Sequence, residues 1–223
     1  KRAAKDAAGG RLRSIKRSRK FWFEKHRWAI LSDGRMFIGG RDAKGNDSVV
    51  KKHLGPKDLY FHADLHGAPS CALKIKDGME IRDKVADGLP EGVSSLQITQ
   101  SLDGPDEGLE LPQKILREGA QIAVCWSRAW GSGGAAATSF YVRPSQVSKK
   151  TESGESLGRG SFVVRGQRHW FRDLRLELGM GMGIVNGVPL PVIGTAESIS
   201  NSFGRWVRIT PGTTKKENVA NSI

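Results

Sequence analysis

Several sequence features are absent from this 223-residue chain, and their absence excludes some classes of protein. No apolar run reaches the ~18 residues that a membrane helix needs, so we expect no membrane contact. Only Cys71 and Cys125 are present, each within an apolar run, which is typical of buried free thiols in a reducing compartment. The chain starts at Lys1 without an apolar signal segment. These absences predict a cytoplasmic location, and the lack of an initiator Met suggests a piece of a longer protein.

Sequence motifs of common enzymes and metal sites are absent as well. There is no Cys-x-x-Cys pair, no Gly-x-Ser-x-Gly turn and no Walker glycine-lysine motif. Ser70 and Cys71 follow closely on Asp64 and His66, but without such a turn their proximity is weak evidence for a nucleophile. We therefore expect a binding protein with no enzymatic activity, no catalytic residue and no cofactor.

The charge of the chain is strongly positive and unevenly distributed. The formal net charge is +13 and the pI is near 10.0, which indicates an anionic partner such as nucleic acid. Residues 1–28 carry eleven Lys/Arg and two acids, a net charge of +9, whereas residues 77–110 carry two basic and nine acidic residues, a net charge of −7. The remaining residues therefore hold 13 − 9 + 7 = +11, so the globular part is basic in its own right.

The segment 58–70 carries the strongest candidate site. If residues 59–65 form a strand, His62, Asp64 and His66 share one face, and the apolar residues between them line the core. Such a set could bind zinc or iron, which use His and carboxylate ligands. However, His62 and His66 would lie ~13 Å apart on a straight strand, and the sequence shows no second ligand cluster. We therefore expect no metal ligand; the alternative is a metal-dependent RNA-processing or RNA-modifying enzyme centred on these three residues.

Hydrophobic patterning predicts an α+β fold: a mostly antiparallel mixed sheet with a few packed helices, in a single domain with a basic helical N-terminal tail. An Asp-Gly turn at 33–34 predicts a hairpin of strands 27–31 and 35–39. The other predicted elements are a short helix before Gly55 capped by Asn46 or Asp47, strands at 71–76, 135–142, 161–166, 173–178 and 206–209, and helices at 111–130 and 195–203. We interpret 77–110 and 187–194 as loops, and the glycines at 179–183 as close backbone packing or a flexible turn.

Basic and aromatic residues are interleaved between residues 19 and 28. This composition suits RNA, because cations neutralise phosphates and aromatic rings stack on unpaired bases. Trp22, Phe23 and Trp28 could equally belong to the core. The residues predicted to contact RNA, here and in other basic or polar segments, are Arg19, Lys20, Trp22, Lys25, Arg27, Arg41, Lys51, Lys52, Gln146, Ser148, Lys149, Arg159 and Arg165.

Several motifs together resemble the NFACT-R domain, the C-terminal RNA-binding module of the RqcH/NEMF family of ribosome quality-control proteins. The matching segments are 19–28, 32–34, 38–43 with Asn46, 58–70, 123–127, 146–149 and 160–166. The resemblance implies a domain at 19–185, preceded by the end of a coiled coil or basic linker at 1–18. Residues 186–223 resemble the C-terminal extension of archaeal members.

The resemblance also implies a function and partners. Such a module would bind tRNA and the large ribosomal subunit, through rRNA and ribosomal proteins, where a stalled peptidyl-tRNA complex remains. It would support C-terminal tailing of the stalled nascent chain. His62, Asp64 and His66 would then order a strand end beside a basic surface. They complete a predicted RNA-binding set of sixteen residues, although whether any of the three touches RNA directly is left open. A scaffold that docks ribosomal proteins through 77–110 and 186–223 is a further alternative.

Overall fold

The computed structural model describes residues 17, 19–83, 90–105, 110–131, 136–214 and 217–218. The helices are α1 (Ala43–Ser48), α2 (Gln113–Cys125) and α3 (Ala196–Ser202). The strands are β1 (Arg27–Ile30), β2 (Arg35–Gly39), β3 (Leu59–Ala63), β4 (Cys71–Asp83), β5 (Ser94–Thr99), β6 (Ala136–Val142), β7 (Val147–Ser148), β8 (Val163–Val164), β9 (His169–Arg175), β10 (Leu178–Val185), β11 (Val188–Gly194) and β12 (Trp206–Ile209). No helix in the described ranges is long and apolar enough to cross a membrane.

Ten of these strands form one sheet. Seven of them lie side by side in the order β11-β10-β5-β4-β3-β6-β9. The β1–β2 hairpin joins it through β2 and β4, and β12 joins through β10. All pairs are antiparallel except β5 with β10, which is parallel. The small β7–β8 pair forms a separate two-stranded sheet. The predicted α+β class with a mostly antiparallel mixed sheet is confirmed, as is the predicted hairpin.

Apolar side chains alternate across the sheet and supply a core on each face. On one face, Phe37 and Phe61 pack with the buried side of α2, including Leu116. On the other face, Ile38 packs in a second cluster with Ile199 of α3. Both faces of the central part of the sheet are therefore covered, and strand ends, loops and the edge strand β9 meet solvent at its rim.

The short helix begins earlier than predicted. Asp42, rather than Asn46 or Asp47, is the N-cap of α1, and its Oδ1 accepts a hydrogen bond of 2.6 Å from the amide of Gly45. A π-helical turn, Val49–His53, continues the helix. Asn46 and Asp47 therefore lie inside α1, where their side chains are free to bond other segments.

The interpretation of 77–110 as one long loop is wrong for much of its length. β4 continues to Asp83, and β5 lies between β4 and β10 in the sheet. Met79 and Leu96 are buried, while Glu80 and Gln97, next to them in sequence, are exposed. The many acidic and glycine residues of this segment made the alternation of buried apolar and exposed polar residues hard to see in the sequence.

The loop predicted at 187–194 is instead strand β11, the outermost strand beyond β10. Pro189 and Pro191, which suggested a loop, pair in register with Ile184 and Met182. Proline lacks an amide donor, and it is tolerated on an edge strand where that donor would face away from the ladder. β11, α3 and β12 therefore place residues 188–209 within the main sheet and its core, while the predicted helix and last strand of this region are confirmed.

Candidate nucleic-acid interface

A cleft of about 750 Å³ lies where the end of β3 meets three loops. Its walls come from residues 40–46, 60–70, 126–128 and 159–162. The charged side chains among its lining residues are Arg27, Arg41, Arg128, Arg159 and Asp42. Four guanidinium groups against one carboxylate make the cleft suited to an anionic ligand, because arginine binds phosphate and carboxylate in a bidentate way.

Hydrogen bonds fold the end of β3 into a fixed turn. The hydroxyls of Tyr60 and Ser70 lie 3.1 Å apart, and the ring Nε2–H of His62 donates to the Ala68 carbonyl at 3.2 Å. Asn46 Oδ1 accepts from the Ser70 amide at 3.1 Å. A Cβ on Gly40 would come within 2.0 Å of that same Asn46 oxygen, so only glycine fits there. The segment 62–70 thus presents a pre-ordered wall to the cleft.

His62, Asp64 and His66 do not form the continuous face that an extended 59–65 strand would give. β3 ends at Ala63, and the Leu65 amide turns back to the Ala63 carbonyl at 2.8 Å. Asp64 and His66 are exposed, whereas burial lowers the pKa of His62, leaving a neutral ring at pH 7. Across the described part of the chain, no group of three or more His, Cys, Asp or Glu could hold a metal ion. The geometry therefore gives no support to the metal-dependent alternative.

The candidate nucleophiles Ser70 and Cys71 lie in surroundings that do not activate them. The Ser70 hydroxyl bonds the Tyr60 hydroxyl rather than an imidazole. Burial raises the pKa of the Cys71 thiol far above its usual value and that of Cys125 to about 12, so both thiols stay protonated. These groups serve packing and hydrogen bonding in the fold.

The opposite wall of the cleft is anchored by Asp47. Its Oδ1 accepts from Lys149 Nζ at 3.0 Å and from the Gly160 amide at 2.9 Å, and its pKa is held well below the usual value mainly by the Lys149 hydrogen bond. Lys149 Nζ also donates to the Gly158 and Ser161 carbonyls and lies 4.5 Å from the centre of the Phe162 ring. Lys149 is therefore a positioning residue for the loop that carries Arg159.

The basic and aromatic segment 19–28 adjoins the cleft. Trp22 stacks on His53 with 4.7 Å between ring centroids, and Phe23 is fully buried, so these rings pack within the fold. Burial lowers the pKa of His26 to about 4, with further contributions from the positive charges of His53, Arg41 and Lys25. Arg41, whose charge contributes to this lowering, also lines the cleft. The rings of His26 and His53 pack edge to face with 4.9 Å between their centroids, and the exposed Lys25 and Lys52 each adjoin one of these histidines in sequence.

We define the basic surface as the cleft arginines together with Lys25 and Lys52. Ten of the sixteen predicted residues are exposed, and Lys51 and Arg165 among them bond to other residues of the fold. The side chains of the other eight form no hydrogen bond or ion pair within the described ranges: Arg19, Lys20, Lys25, Arg41, Lys52, Asp64, His66 and Arg159. Of these, Arg41, His66 and Arg159 line the cleft, as do the partly buried Arg27 and His62.

The other predicted residues mainly hold the structure together. Arg27 Nη1 donates to the Trp126 carbonyl at 2.6 Å, and Lys51 pairs with Asp47 at 3.0 Å. Gln146 Nε2 donates to the carbonyls of residues 165 and 167. Ser148 and Arg165 donate to backbone carbonyls of the 150–151 turn. In the structure these side chains hold loops and turns in place, and RNA contact by any of them stays a prediction.

Two lining residues escaped prediction. Arg128 and Trp126 follow α2 directly and line the cleft, although 126–127 was noted only as part of a motif. A tryptophan and an arginine within three residues after a buried helix would have been a usable signal, because helix ends face solvent.

Comparisons with known proteins agree on one family. The profile described as NFACT protein RNA binding domain matches residues 21–166. The archaeal Rqc2 homolog aRqcH of Methanocaldococcus jannaschii is 32% identical over 211 residues, which are 95% of this chain and 26% of that protein. The human ribosome quality control complex subunit NEMF is 35% identical over 167 residues, 74% of this chain and 13% of that protein. The chain thus spans about a quarter or less of these relatives.

Among solved structures, the C-terminal part of the fibronectin/fibrinogen-binding protein of Streptococcus suis aligns with a TM-score of 0.46 and 14% sequence identity. The alignment covers 91% of this chain and 58% of that one.

Proposed function

Because the chain belongs to the NFACT protein RNA-binding domain family, we propose that its basic surface binds RNA within a ribosome quality-control factor. The proposed ligands are tRNA and the large ribosomal subunit, contacted where a stalled nascent chain remains attached as peptidyl-tRNA. In this role the domain acts in the cytoplasm as a binding module that supports C-terminal tailing, and it carries out no chemistry itself.

The observation that carries the proposal is the convergence of separate sequence segments on one arginine-lined cleft. Residues 40–46, 60–70, 126–128 and 159–162 are far apart in the chain, and all of them lie within the family match. Each of these segments contributes to the cleft either a residue that is held by hydrogen bonds within the protein or an exposed arginine. A surface assembled in this way from ordered loops suits recognition of a shaped polyanion.

The charge pattern indicates that phosphate contacts supply most of the affinity. Arg41, Arg128 and Arg159 are exposed at the cleft, and no carboxylate among the described residues pairs with them within 4.0 Å. Binding RNA would release counterions from its phosphates, so affinity should fall steeply as salt rises. The side chains of Trp126 and Phe162, which also line the cleft, offer apolar faces for bases or riboses.

A charge-matched pair of triple variants tests the proposal. Replacing Arg41, Arg128 and Arg159 by Ala should weaken tRNA binding by roughly tenfold or more, since each charge-assisted hydrogen bond is worth about 1.5–3 kcal/mol. In a salt series, the slope of log affinity against log salt should become shallower by about 0.7 for each phosphate that the variant no longer neutralises. Filter binding measures both quantities, and co-sedimentation with purified large ribosomal subunits extends the test to the larger ligand.

The control removes the same charge elsewhere. Arg117, Arg205 and Arg208 are exposed and lie outside the cleft lining. Their replacement by Ala should leave most of the affinity and the salt slope intact. Equal losses in the two triple variants would show that net charge alone attracts RNA and would overturn the assignment to this cleft.

A further inference from the structure

The edge strand β9 presents a tryptophan between two arginines. Arg168 directly precedes β9, and its guanidinium lies 5.9 Å from the centroid of the Trp170 ring, so these two side chains share one face. Arg172 follows two residues later in β9. Trp170 is 40% exposed, one of the few large apolar side chains so open to solvent. β9 ends the sheet order beyond β6, so this face lies at the rim of the described structure.

A row of rings connects this face to the cleft. His62 on β3 is directly opposite Phe140 on β6, and Phe140 is directly opposite Trp170 on β9. Ring centroids are 6.0 Å apart for His62 and Phe140, and 5.1 Å apart for Phe140 and Trp170. Phe140 is only 5% exposed, so it fixes Trp170 in place while Trp170 reaches solvent. Because His62 lines the cleft, the row leads from the cleft to the sheet edge.

The arginines on this face are placed to receive phosphates. The Arg168 guanidinium lies 4.9 Å from the Phe140 centroid and 5.9 Å from that of Trp170. Arg168 and Arg172 are exposed, and within the described ranges neither forms an ion pair with a carboxylate. Arg168 precedes Trp170 by two residues and Arg172 follows it by two, so the indole lies between the two arginines along the chain.

We infer that Arg168, Trp170 and Arg172 form a stacking site for an unpaired nucleotide of an RNA strand that continues from the cleft. An unpaired base would stack on the indole of Trp170, while its flanking phosphates would meet the two guanidinium groups. This inference rests on the proposed function and adds a ligand class to it: single-stranded RNA rather than duplex. An RNA strand fits better than a protein partner, because one isolated ring between arginines is far smaller than the apolar patch that marks protein interfaces.

Two RNAs that differ only in an unpaired tail test the inference. One is a hairpin with a blunt stem, and the other is the same hairpin with a single-stranded 3′ extension. Trp170→Ala should lower affinity for the tailed hairpin by about 5- to 150-fold, the range for removal of one base stack, and leave the blunt hairpin nearly unaffected. Trp170→Phe should retain most of the affinity, because a smaller aromatic ring still stacks.

Two further variants keep the result interpretable. Met182→Ala removes another exposed apolar side chain, 47% accessible on β10, and should change neither affinity. If Trp170→Ala does not fold, the pair Arg168→Ala and Arg172→Ala tests the same site and should reduce tailed-hairpin binding selectively.

The possible outcomes distinguish a failure of this inference from a failure of the proposed function. Wild-type protein that binds neither hairpin would contradict the proposed function itself. Wild-type protein that binds both, with tailed-hairpin affinity unaltered in Trp170→Ala, would overturn only the stacking site. Unaltered RNA affinity combined with weaker binding to RNA-free ribosomal proteins would assign this face to a protein contact, which also contradicts the inference.

Discussion

Asp47 is a carboxylate next in sequence to the cleft-lining Asn46, and its oxygens accept three hydrogen bonds, from Lys51, Lys149 and the Gly160 amide. A negative charge there opposes an anionic ligand in simple Coulomb terms. Its hydrogen bonds, however, fasten the loop of Arg159 to α1. Gly160 has a positive φ of 78°, and a Cβ there would lie 2.6 Å from the Ala43 Cα, so the loop is tightly seated against α1.

Removing this carboxylate therefore has two opposing effects on RNA affinity: the more positive charge raises it, and the loss of the loop's anchor lowers it. Asp47→Ala makes the protein more positive, yet we expect tRNA affinity to fall several-fold because the Arg159 wall loses its anchor. Stability should also fall by about 1 kcal/mol, since the partly buried Lys149 ammonium and Gly160 amide are left without their acceptor. Filter binding and urea unfolding measure the two effects.

Asp64→Ala is the matched control for that prediction. Asp64 is exposed beside the cleft, and its removal makes the same change in charge. Its affinity should stay constant or rise slightly, with a stability change within about 0.5 kcal/mol. If both variants gain affinity equally, Asp47 has no positioning role in RNA binding.

At the scale of single elements, β10 shows why a glycine-rich segment can be a strand. Gly179, Gly181 and Gly183 alternate with larger residues and face α3 and its neighbours. A Cβ on Gly181 would lie 2.6 Å from the Phe203 ring, and one on Gly183 would lie 2.4 Å from Leu96 Cδ1. Of the two interpretations the sequence allowed, close backbone packing is the one that the structure adopts.

Gly181→Ala should therefore destabilise the fold although alanine generally favours ordered structure over glycine. The added methyl group must displace Phe203, and overpacking of this kind costs about 1–3 kcal/mol. Met182→Ala, one residue away and exposed, should change stability by no more than about 0.5 kcal/mol. Urea unfolding of both variants provides the comparison, and equal stabilities would refute the packing role of Gly181.

At the scale of the whole molecule, residues 186–223 bear on where the domain ends. The family match stops at residue 166, and a domain boundary at 185 was predicted. β11 and β12 both pair with β10, and Val192, Ile199 and Phe203 are 0%, 0% and 3% exposed. The second core thus depends on side chains contributed from beyond the predicted boundary.

A chain ending at residue 185 should consequently lose its cooperative unfolding transition and bind an apolar-surface dye such as ANS. The cause is exposure of the second core once β11, α3 and β12 are removed. Adding a synthetic peptide of residues 186–223 should restore the transition at least in part. A truncated chain that melts cooperatively at the midpoint of the intact chain would show that the domain ends at 185.

The sequence by itself determined the fold class, the β1–β2 hairpin, the basic character and the family, because these depend on local patterning, net composition and motifs in order. It also located segments of the cleft, such as 58–70. Only the tertiary structure decided which side chains line the cleft: Lys149 and Gln146 are engaged by hydrogen bonds to neighbouring loops, whereas Arg128 and Trp126 line the cleft. The physical reason is that a polar side chain is engaged by the carbonyls and carboxylates that distant segments bring to it. In the same way, β11 is a strand because it pairs with β10, and β5 is a strand because it pairs with β4 and β10.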